Sequence, residues 1–530
     1  MKRLMMTFAA ALALWSAACS SGGTIPPPPP VGGFTLADLN GQYVFTTNGE
    51  VSTGGTPVNL ARTGVFNANG QGVITGGVED VNASGTTTLA VQITGGSYTI
   101  NADGRGTLTL NVTSNGTPST INFAIVLTST SGGLMIDETS TQVQASTGSG
   151  NFIKQTGGPF TVSSVSGPYV FDFAGLDGNG NPESILGQVA VSGGVSTSGF
   201  FDQNDDFLLA NGALSATFAQ DNLNPSFSIS TFGRGIAQIA GVNYVFYIVD
   251  ATRVRFISSN GGMLSGDAVA QNSTVPTNVS SLSGGFAFIV AGTSFNGGIT
   301  RVGRFTATGT AVTQVLEDSN DNGRFIQTNT GNNASITLDA STPGRGTVTF
   351  TDPNFTGAPG IYIFYLSSAT QGVIQEVTVD STKAPVDVAD GTIAAQTGSP
   401  FSGSNITGTY AYNWSGLSSQ QSGSAVDEED VLGQAPISNL VFTGTDDIFQ
   451  FSLGQPKTDL AASGSIVIGS SDGTSSDGKR NTMTVIYSKS SASASTVNFV
   501  VYFVSPKLAF FENTSASNTR IVAGVLQAQQ

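Results

Sequence analysis

Apolar and polar residues alternate along most of the chain, in short runs separated by glycine, asparagine and aspartate. Eight such runs follow one another in the first 160 residues: GQYVFTT, RTGVFNA, GVITGGVED, GGSYTINA, GTLTLNV, INFAIVL, GLMIDE and GSGNFIKQ. A two-residue period is typical of a half-buried β-strand, and the helical period of about 3.6 residues is absent. Gly, Asn-Gly and Asp-Gly turns between the runs suit tight hairpins. The pattern therefore predicts sequential, hairpin-linked strands.

The same unit is found four times along the chain. Each copy opens with a glycine followed by an aromatic residue two positions later; these aromatic residues are Tyr43, Tyr169, Phe286 and Tyr410. Each copy also has an arginine in its middle, within Gly-Arg-Gly in three copies and Lys-Arg-Asn in the fourth; these are Arg105, Arg234, Arg345 and Arg480. Copies one and three close alike, with QTGGPF at 155 and QTGSPF at 396. The period of about 120 residues is the size of a domain.

We therefore predict an all-β protein of four tandem antiparallel domains, and we expect the eight residues above to have structural roles in the repeat. The expected domains are residues 34–160, 161–278, 279–401 and 402–530.

Eight hairpin-linked strands that open with Gly-x-aromatic resemble the up-and-down barrels of the lipocalin and avidin-like calycins. This resemblance implies four eight-stranded barrels, in which closure removes the sheet edges. The repeated arginine lies in mid-repeat rather than on the last strand, so no calycin ligand site is carried over. Hairpin signals also fit a Greek key, and tandem immunoglobulin-like β-sandwiches stay open as the alternative.

One predicted strand, VNYVFYIV at 242–249, is apolar on both faces. A strand of a solvated barrel should have one polar face. We therefore expect its outer face to pack on a neighbouring domain or linker, which would give a compact array. Scattered exposure of these side chains is the alternative.

The N-terminus has the layout of an export signal. A positive start is followed by the apolar stretch Leu4–Trp15 and by small residues before Cys19, the only cysteine. Small residues directly before a cysteine resemble the lipobox of bacterial lipoproteins, which implies removal of residues 1–18 and lipidation of Cys19. Ser16 stands where leucine is usual, so plain signal cleavage is the alternative. Ser20 after the cysteine implies the outer membrane, with a periplasmic or secreted protein as the alternative.

Residues 19–33 are expected to form a lipidated tether. They include Pro26–Pro30, which should adopt a stiff polyproline II rod of about 15 Å. No later apolar stretch is long enough to span a bilayer. The expected membrane contact is therefore the lipid alone.

Composition limits the chemistry. The chain has no histidine, a formal net charge of -16 and a pI near 4.2. An acidic surface repels a phosphate backbone, so nucleic-acid binding is not expected. Without histidine and with Cys19 used at the anchor, the usual triads and zinc sites are excluded, and we predict no catalytic residues. The pairs Glu79-Asp80 and Glu317-Asp318 are adjacent on strands, so their side chains point to opposite faces and form no dyad.

Calcium is the one metal that the sequence suggests. Residues 318–323 (DSNDNG) fit the first half of an EF-hand-type loop, with Asp318, Asn320 and Asn322 as candidate ligands. The twelfth position is Asn329 where a glutamate is needed. Such runs are more often turns, and we expect no cofactor.

Two further expectations concern charged residues. We expect each arginine turn to pair with a carboxylate of its own repeat, Arg105 with Asp80 and Arg345 with Asp318. The acidic run Asp427-Glu428-Glu429-Asp430 is expected to be a solvated loop.

Taken together, these features predict a non-catalytic envelope lipoprotein with a binding, adhesive or structural role. An envelope protein or a glycan is the expected partner. The first alternative is a carrier that holds a small apolar ligand inside a barrel, which would need small side chains around a cavity. The second is a carboxylate-only glycan hydrolase, which would need two facing carboxylates within about 10 Å.

Overall fold

The computed structural model describes residues 33–52, 57–140, 145–294, 297–331, 334–351, 359–378, 387–418, 427–450, 455–469, 480–490, 493–514 and 520–530. The predicted signal, Cys19 and the tether lie outside the described residues. The described chain is almost entirely strand, with one helix, α1 (Ile229–Phe232), and four single-turn 3-10 helices: Leu36–Asp38, Val162–Ser164, Pro225–Phe227 and Val279–Ser281. In this part of the chain, no helix has the length and apolarity needed to cross a membrane.

The strands fall into four groups, called barrels 1 to 4. Barrel 1 has β1 (Asn40–Ser52), β2 (Val58–Asn69), β3 (Val73–Ala83), β4 (Thr86–Tyr98), β5 (Arg105–Ser114), β6 (Thr117–Ser129), β7 (Gly132–Asp137), β8 (Thr139–Ser140), β9 (Ala145–Ser146) and β10 (Ser149–Lys154). Barrel 2 has β11 (Gly167–Leu176), β12 (Pro182–Ser192), β13 (Val195–Asp205), β14 (Leu208–Ala213), β15 (Ala216–Ala219), β16 (Arg234–Ile239), β17 (Val242–Asp250), β18 (Arg253–Ser258) and β19 (Met263–Ala270).

Barrel 3 has β20 (Ser283–Ser294), β21 (Gly297–Thr308), β22 (Ala311–Asp321), β23 (Arg324–Gly331), β24 (Ala334–Leu338), β25 (Arg345–Thr351), β26 (Pro359–Leu366), β27 (Gln371–Glu376) and β28 (Val388–Ala395). Barrel 4 has β29 (Gly408–Ser418), β30 (Asp427–Ser438), β31 (Val441–Gln450), β32 (Lys457–Val467), β33 (Asn481–Ser490), β34 (Ser493–Ser505), β35 (Leu508–Asn513) and β36 (Ile521–Ala528). The strands of each barrel lie inside one of the four predicted domain ranges.

Each group closes into an eight-stranded antiparallel barrel. Strands β1 to β7 and β10 pair in sequence order, and β10 pairs back with β1. Barrels 2 and 3 close in the same way through β11–β19 and β20–β28 pairing, and β29 to β36 form the fourth. The prediction of tandem up-and-down barrels is confirmed. The immunoglobulin-like alternative is wrong, because consecutive strands are neighbours and do not cross between two sheets.

Large side chains fill the barrel interiors. In barrel 1, Phe45 packs against Phe66 and Phe123 at ring-centroid distances of 6.0 and 6.1 Å. In barrel 4, Trp414 is fully buried and lies 5.2 Å from Phe499. The four opening aromatic residues are buried in these cores. The Tyr43 and Tyr169 hydroxyls also donate to Thr130 and Ala251 carbonyls, and Tyr410 donates to Pro506.

The four barrels form a closed ring. The first strands of each barrel face the last strands of the next: β1 to β3 contact β17 to β19, β11 and β12 contact β26 to β28, and β20 and β21 contact β34 to β36. Strands β29 and β30 of barrel 4 contact β6, β7 and β10 of barrel 1 in the same way. The fourth interface therefore repeats the other three and joins the end of the chain to its beginning.

The apolar outer faces of the strands hold these interfaces together. Val245, Tyr247 and Val249 of β17 belong to one buried cluster with Val44 and Val65 of barrel 1. A second cluster joins barrel 4 to both of its neighbours, with β34 and β35 toward barrel 3 and β29 and β30 toward barrel 1. The expectation that VNYVFYIV packs on a neighbouring domain is confirmed, and the array is compact.

Candidate functional site

The repeated arginines connect successive barrels. Three of them form a two-bond ion pair with an aspartate of the barrel before them: Arg234 with Asp80 (2.8 and 2.8 Å), Arg345 with Asp202 (2.7 and 2.7 Å) and Arg480 with Asp318 (2.9 and 2.6 Å). Arg105 of barrel 1 has no barrel before it in the chain, and its Nη2 donates to both oxygens of Asp447 in barrel 4 at 2.8 Å. The ion pairs therefore run around the whole ring.

The predicted pairs Arg105 with Asp80 and Arg345 with Asp318 are wrong. Asp80 accepts from Arg234 and Asp318 accepts from Arg480, each in the following barrel. Both aspartates lie on the third strand of their barrel, and their side chains point out toward the next barrel. The repeated arginine and the third-strand aspartate of one copy therefore face opposite neighbours in the ring. The wider expectation of a partner in the same repeat holds for two arginines, because Arg234 also pairs with Asp221 at 2.5 Å and Arg345 with Asp339 at 3.5 Å.

In three of the four ion pairs, a tyrosine hydroxyl also donates a hydrogen bond to the aspartate. Tyr502 donates its hydroxyl to Asp318 at 2.6 Å, Tyr365 donates to Asp202 at 2.5 Å, and Tyr247 donates to Asp80. Burial and the charge of Asp318 raise the pKa of Tyr502 well above its usual 10, so the hydroxyl stays protonated as a donor. In barrel 1 the residue opposite the arginine is Val126, which has no hydroxyl.

A glutamine at the end of each copy connects the same pairs of barrels. Each side-chain amide donates to backbone carbonyls of the next barrel: Gln155 to Phe232 and Ile248 (3.0 and 2.5 Å), Gln271 to Pro343 and Leu366 (3.0 and 2.9 Å), Gln396 to Phe503 (2.7 Å) and Gln529 to Asp103 and Leu127 (2.8 and 2.7 Å). The following backbone N–H also crosses the interface; Gln530 donates to Thr128 at 2.7 Å. Sequence reasoning missed these contacts, although the shared Gln-Thr at 155 and 396 was a signal.

The first glycine of each Gly-Arg-Gly makes room for this glutamine. At Gly104 and Gly233 a Cβ atom would lie 2.6 Å from the amide nitrogen of Gln529 and Gln155. Both glycines have positive φ, +88° and +68°, which side chains with a Cβ rarely adopt. Gly-Arg-Gly is therefore a docking motif between barrels in this chain.

The opposite ends of the barrels are joined by asparagines. Asn82 donates to the carbonyls of Ser258 and Gly262 in barrel 2 at 3.1 and 2.7 Å. Asn320 donates to the carbonyls of Asn513 and Arg520 in barrel 4, both at 3.0 Å. Glutamine contacts at one end and asparagine contacts at the other mean that the barrels are aligned in the same direction. We call these the latch end and the loop end.

The three calcium candidates do not form a calcium loop. Asp318 and Asn320 lie on strand β22 and are engaged with barrel 4, as described above. Asn322 adopts φ +47° in the hairpin turn that follows. Among the described residues, no group of three or more carboxylate, histidine or cysteine side chains has a geometry suited to a metal ion.

The run Asp427 to Asp430 is not a solvated loop, and that prediction is wrong. It begins strand β30, and Glu428, Glu429 and Asp430 are buried. Glu429 points into barrel 4 and accepts from Arg520 at 2.7 Å and Trp414 at 3.0 Å. Glu428 points to barrel 1 and accepts from Thr147 at 2.8 Å. Strand alternation thus divides the acidic run between a barrel interior and an interface.

Carboxylates also occupy the barrel interiors near the loop end. Glu79 lies inside barrel 1 and pairs with Arg62 at 3.3 Å, and Glu317 lies inside barrel 3 and accepts from Tyr362 at 2.8 Å. Their neighbours Asp80 and Asp318 point outward, so the two members of each acidic pair are separated by the barrel wall. Burial raises the pKa of Glu79 to about 7, against the lowering effect of Arg62.

Comparison with known proteins gives no family. No protein-family model matches the chain, and no curated protein matches it. Intact transferrin binding protein B, "Ap-TbpB", matches at a TM-score of 0.22 and 10% identity over 75% of this chain and 83% of that chain. The same protein from Haemophilus parasuis matches at 0.21 and 10% over 97% and 98%, and that from Neisseria meningitidis at 0.20 and 9% over 76% and 84%. Similarity at this level supports no conclusion, so function must be inferred from the chain's own residues.

Proposed function

We propose that this chain is a non-catalytic lipoprotein of the outer membrane, anchored through Cys19, whose ring of barrels acts as a rigid body in binding, adhesion or envelope structure. An envelope protein or a glycan is the proposed partner. The main support for a non-catalytic role is that the repeated polar residues make contacts between barrels. The arginines, aspartates and glutamines that could have formed a ligand or catalytic site are engaged in contacts between barrels.

The carrier alternative has less support. A carrier barrel needs a cavity lined by small side chains. The interiors of barrels 1 and 4 contain closely packed aromatic rings, including Phe45, Phe66, Trp414 and Phe499. We therefore assign partner binding to outer surfaces and loops.

The start of the described chain suggests which end of the ring faces the membrane. Phe34 donates its backbone N–H to Ala102 at 3.0 Å, beside Gly104 and Gln529 at the latch end. The proposed tether of 15 residues, 19–33, would span roughly 47 Å as a polyproline II segment, at about 3.1 Å per residue. The latch end would then face the bilayer, and the loop end would face the partner.

The anchor is tested by labelling cells that make the full chain with radioactive palmitate. The wild-type chain should take up label and sediment with the outer membrane, whereas Cys19→Ser should do neither. A wild-type chain without label would overturn the proposed anchor. Pull-down of the lipoprotein against envelope fractions and a glycan panel, with and without chelator, then identifies the partner class.

The orientation is tested with two cysteine variants that differ only in the end they mark. Ser119 and Ser131 are exposed residues in and just after strand β6, near the loop end and the latch end respectively. A bulky maleimide should label Ser119→Cys faster than Ser131→Cys on intact membranes. In detergent, where no membrane shields either end, the two variants should be labelled at equal rates. Equal labelling rates on membranes as well would contradict the orientation.

A further inference from the structure

The contact between barrels 4 and 1, which we call the ring seam, is the only barrel interface of the ring without a peptide connection. Residues 155–166, 271–282 and 396–407 join the other three pairs of barrels. The polar contacts across the seam include those of Arg105, Gln529 and Gln530 and a hydrogen bond from Asn413 to Ser149 at 2.7 Å, and apolar side chains pack beside them. It also has Val126 in place of the tyrosine found at the other three interfaces.

Three buried carboxylates lie on the two sides of the seam, and Glu50 and Asp430 both act electrostatically on Glu428. Glu50 is on β1 of barrel 1, and Glu428 and Asp430 are on the outward face of β30 of barrel 4; all three are buried. The Thr147 hydroxyl of barrel 1 donates to Glu428 at 2.8 Å. Ser415 and the Gly148 N–H act to lower the pKa of Asp430, but within the described residues neither of its buried carboxylate oxygens has a hydrogen-bond partner.

The charges that act most strongly on these three groups are other carboxylates. Asp427 acts on Glu50 and Glu428, and Asp137 and Glu429 act on Asp430. Asp137 and Glu429 are themselves paired with Arg62 and Arg520 inside their barrels. Farther along the seam, Glu138 lies among Asp447, Asp459 and Arg105.

We propose that the ring seam is a pH-sensitive closure, shut while Glu50, Glu428 and Asp430 are protonated and opened by their ionisation. Opening would separate β29 and β30 from β6 and β7 and expose their apolar outer faces, while the other three interfaces stay joined by the chain. The proposal is independent of the lipid anchor and of the partner.

The direction of the effect follows from the pKa values. Burial, with Asp427 nearby, raises the pKa of Glu50 to about 7, and burial raises that of Asp430 to about 8. Burial and Asp430 raise the pKa of Glu428 well above its usual value. In an open seam the pKa values of these groups return toward those of ordinary carboxyl groups. The closed state therefore binds more protons than the open state, and it loses stability as pH rises from about 4 through about 8. Glu50 alone would favour opening about tenfold more at pH 9 than at pH 6.

The test measures the distance between two spin labels across the seam by double electron–electron resonance, with the full lipoprotein in detergent. Ser131 of barrel 1 and Ser438 of barrel 4 are exposed residues on either side of the seam at the latch end. Labelled Ser131→Cys/Ser438→Cys should give one short distance at pH 6 and a longer, broader distribution at pH 9. Gln71→Cys/Thr252→Cys marks the same place at the interface of barrels 1 and 2 and should not change.

A triple variant tests whether ionisation of Glu50, Glu428 and Asp430 causes the seam to open. Glu50→Gln/Glu428→Gln/Asp430→Asn imitates the protonated state, so the seam pair should keep its short distance at pH 9. If this variant does not fold, Glu50→Gln alone should move the midpoint of opening to higher pH. An unchanged wild-type distance between pH 6 and 9, an equal change in the control pair, or opening of the folded triple variant at pH 9 would overturn the proposal.

Discussion

Arg480 allows the strength of one barrel interface to be measured directly. Its guanidinium forms two hydrogen bonds with Asp318, and the two side chains are 5% and 0% exposed. Arg480→Ala would leave the buried Asp318 carboxylate without its guanidinium partner. Removing one member of a buried ion pair destabilises a protein by about 3–5 kcal/mol. We therefore expect Arg480→Ala to lower the free energy of unfolding of barrel 4 by this amount.

Tryptophan fluorescence reports on this barrel alone. The chain has two tryptophans, Trp15 in the predicted signal and Trp414 in the core of barrel 4. With a urea m-value of about 2–3 kcal/mol per molar, the unfolding midpoint seen by Trp414 should fall by roughly 1–2.5 M. Arg480→Met/Asp318→Leu should recover most of the loss, because an apolar pair leaves no buried charge.

Lys507→Ala is the matched control, since Lys507 is an exposed cation of the same barrel. Its effect should stay within about 0.5 kcal/mol. A midpoint for Arg480→Ala equal to that of Lys507→Ala would refute the reasoning that this ion pair holds barrel 4 to barrel 3.

Three further outcomes are expected. Gln529→Ala should lower the free energy of seam closure by about 1–3 kcal/mol, because the carbonyls of Asp103 and Leu127 lose their donor; the seam spin-label pair should then open at lower pH. Gly104→Ala should lower the melting temperature more than Gly116→Ala, since both have positive φ but only Gly104 has atoms within 4 Å of an added Cβ. Chelator should leave the melting temperature of the wild-type chain unchanged; a fall of several degrees would reveal a bound divalent ion.

The fold could be predicted because its information is local and repeated. Alternating apolar residues define each strand, short glycine turns define each hairpin, and four copies define the barrels. The apolar outer face of VNYVFYIV predicted contact between domains, because no solvated barrel needs a second apolar face. The strand and hairpin patterns can be read within about ten residues of sequence, and the repeat is visible as self-similarity at a spacing of about 120 residues.

The partners of the charged residues could not be predicted in the same way. Asp80 and Asp318 occupy similar strand positions in their copies, and nothing local indicates that the arginine partner belongs to the next copy. Four acidic residues in a row at 427–430 indicate a solvent-exposed segment, because burying carboxylates is costly. The sequence does not show that a neighbouring barrel packs against this strand and covers it. Closure of the ring decides both questions, and closure is a property of all four copies together.

Closure of the ring also fixes how many copies the gene can hold. In an open stack of repeats, a duplication adds one unit at the end and leaves every existing contact in place. Here each barrel turns the path by a quarter of a circle on average, and the last barrel meets the first through Arg105 and Gln529. A fifth copy would find its docking surface already occupied, and a chain of three would leave Asp103 and Leu127 without their glutamine. Variation among relatives should therefore appear as changes in loop length, with the count held at four.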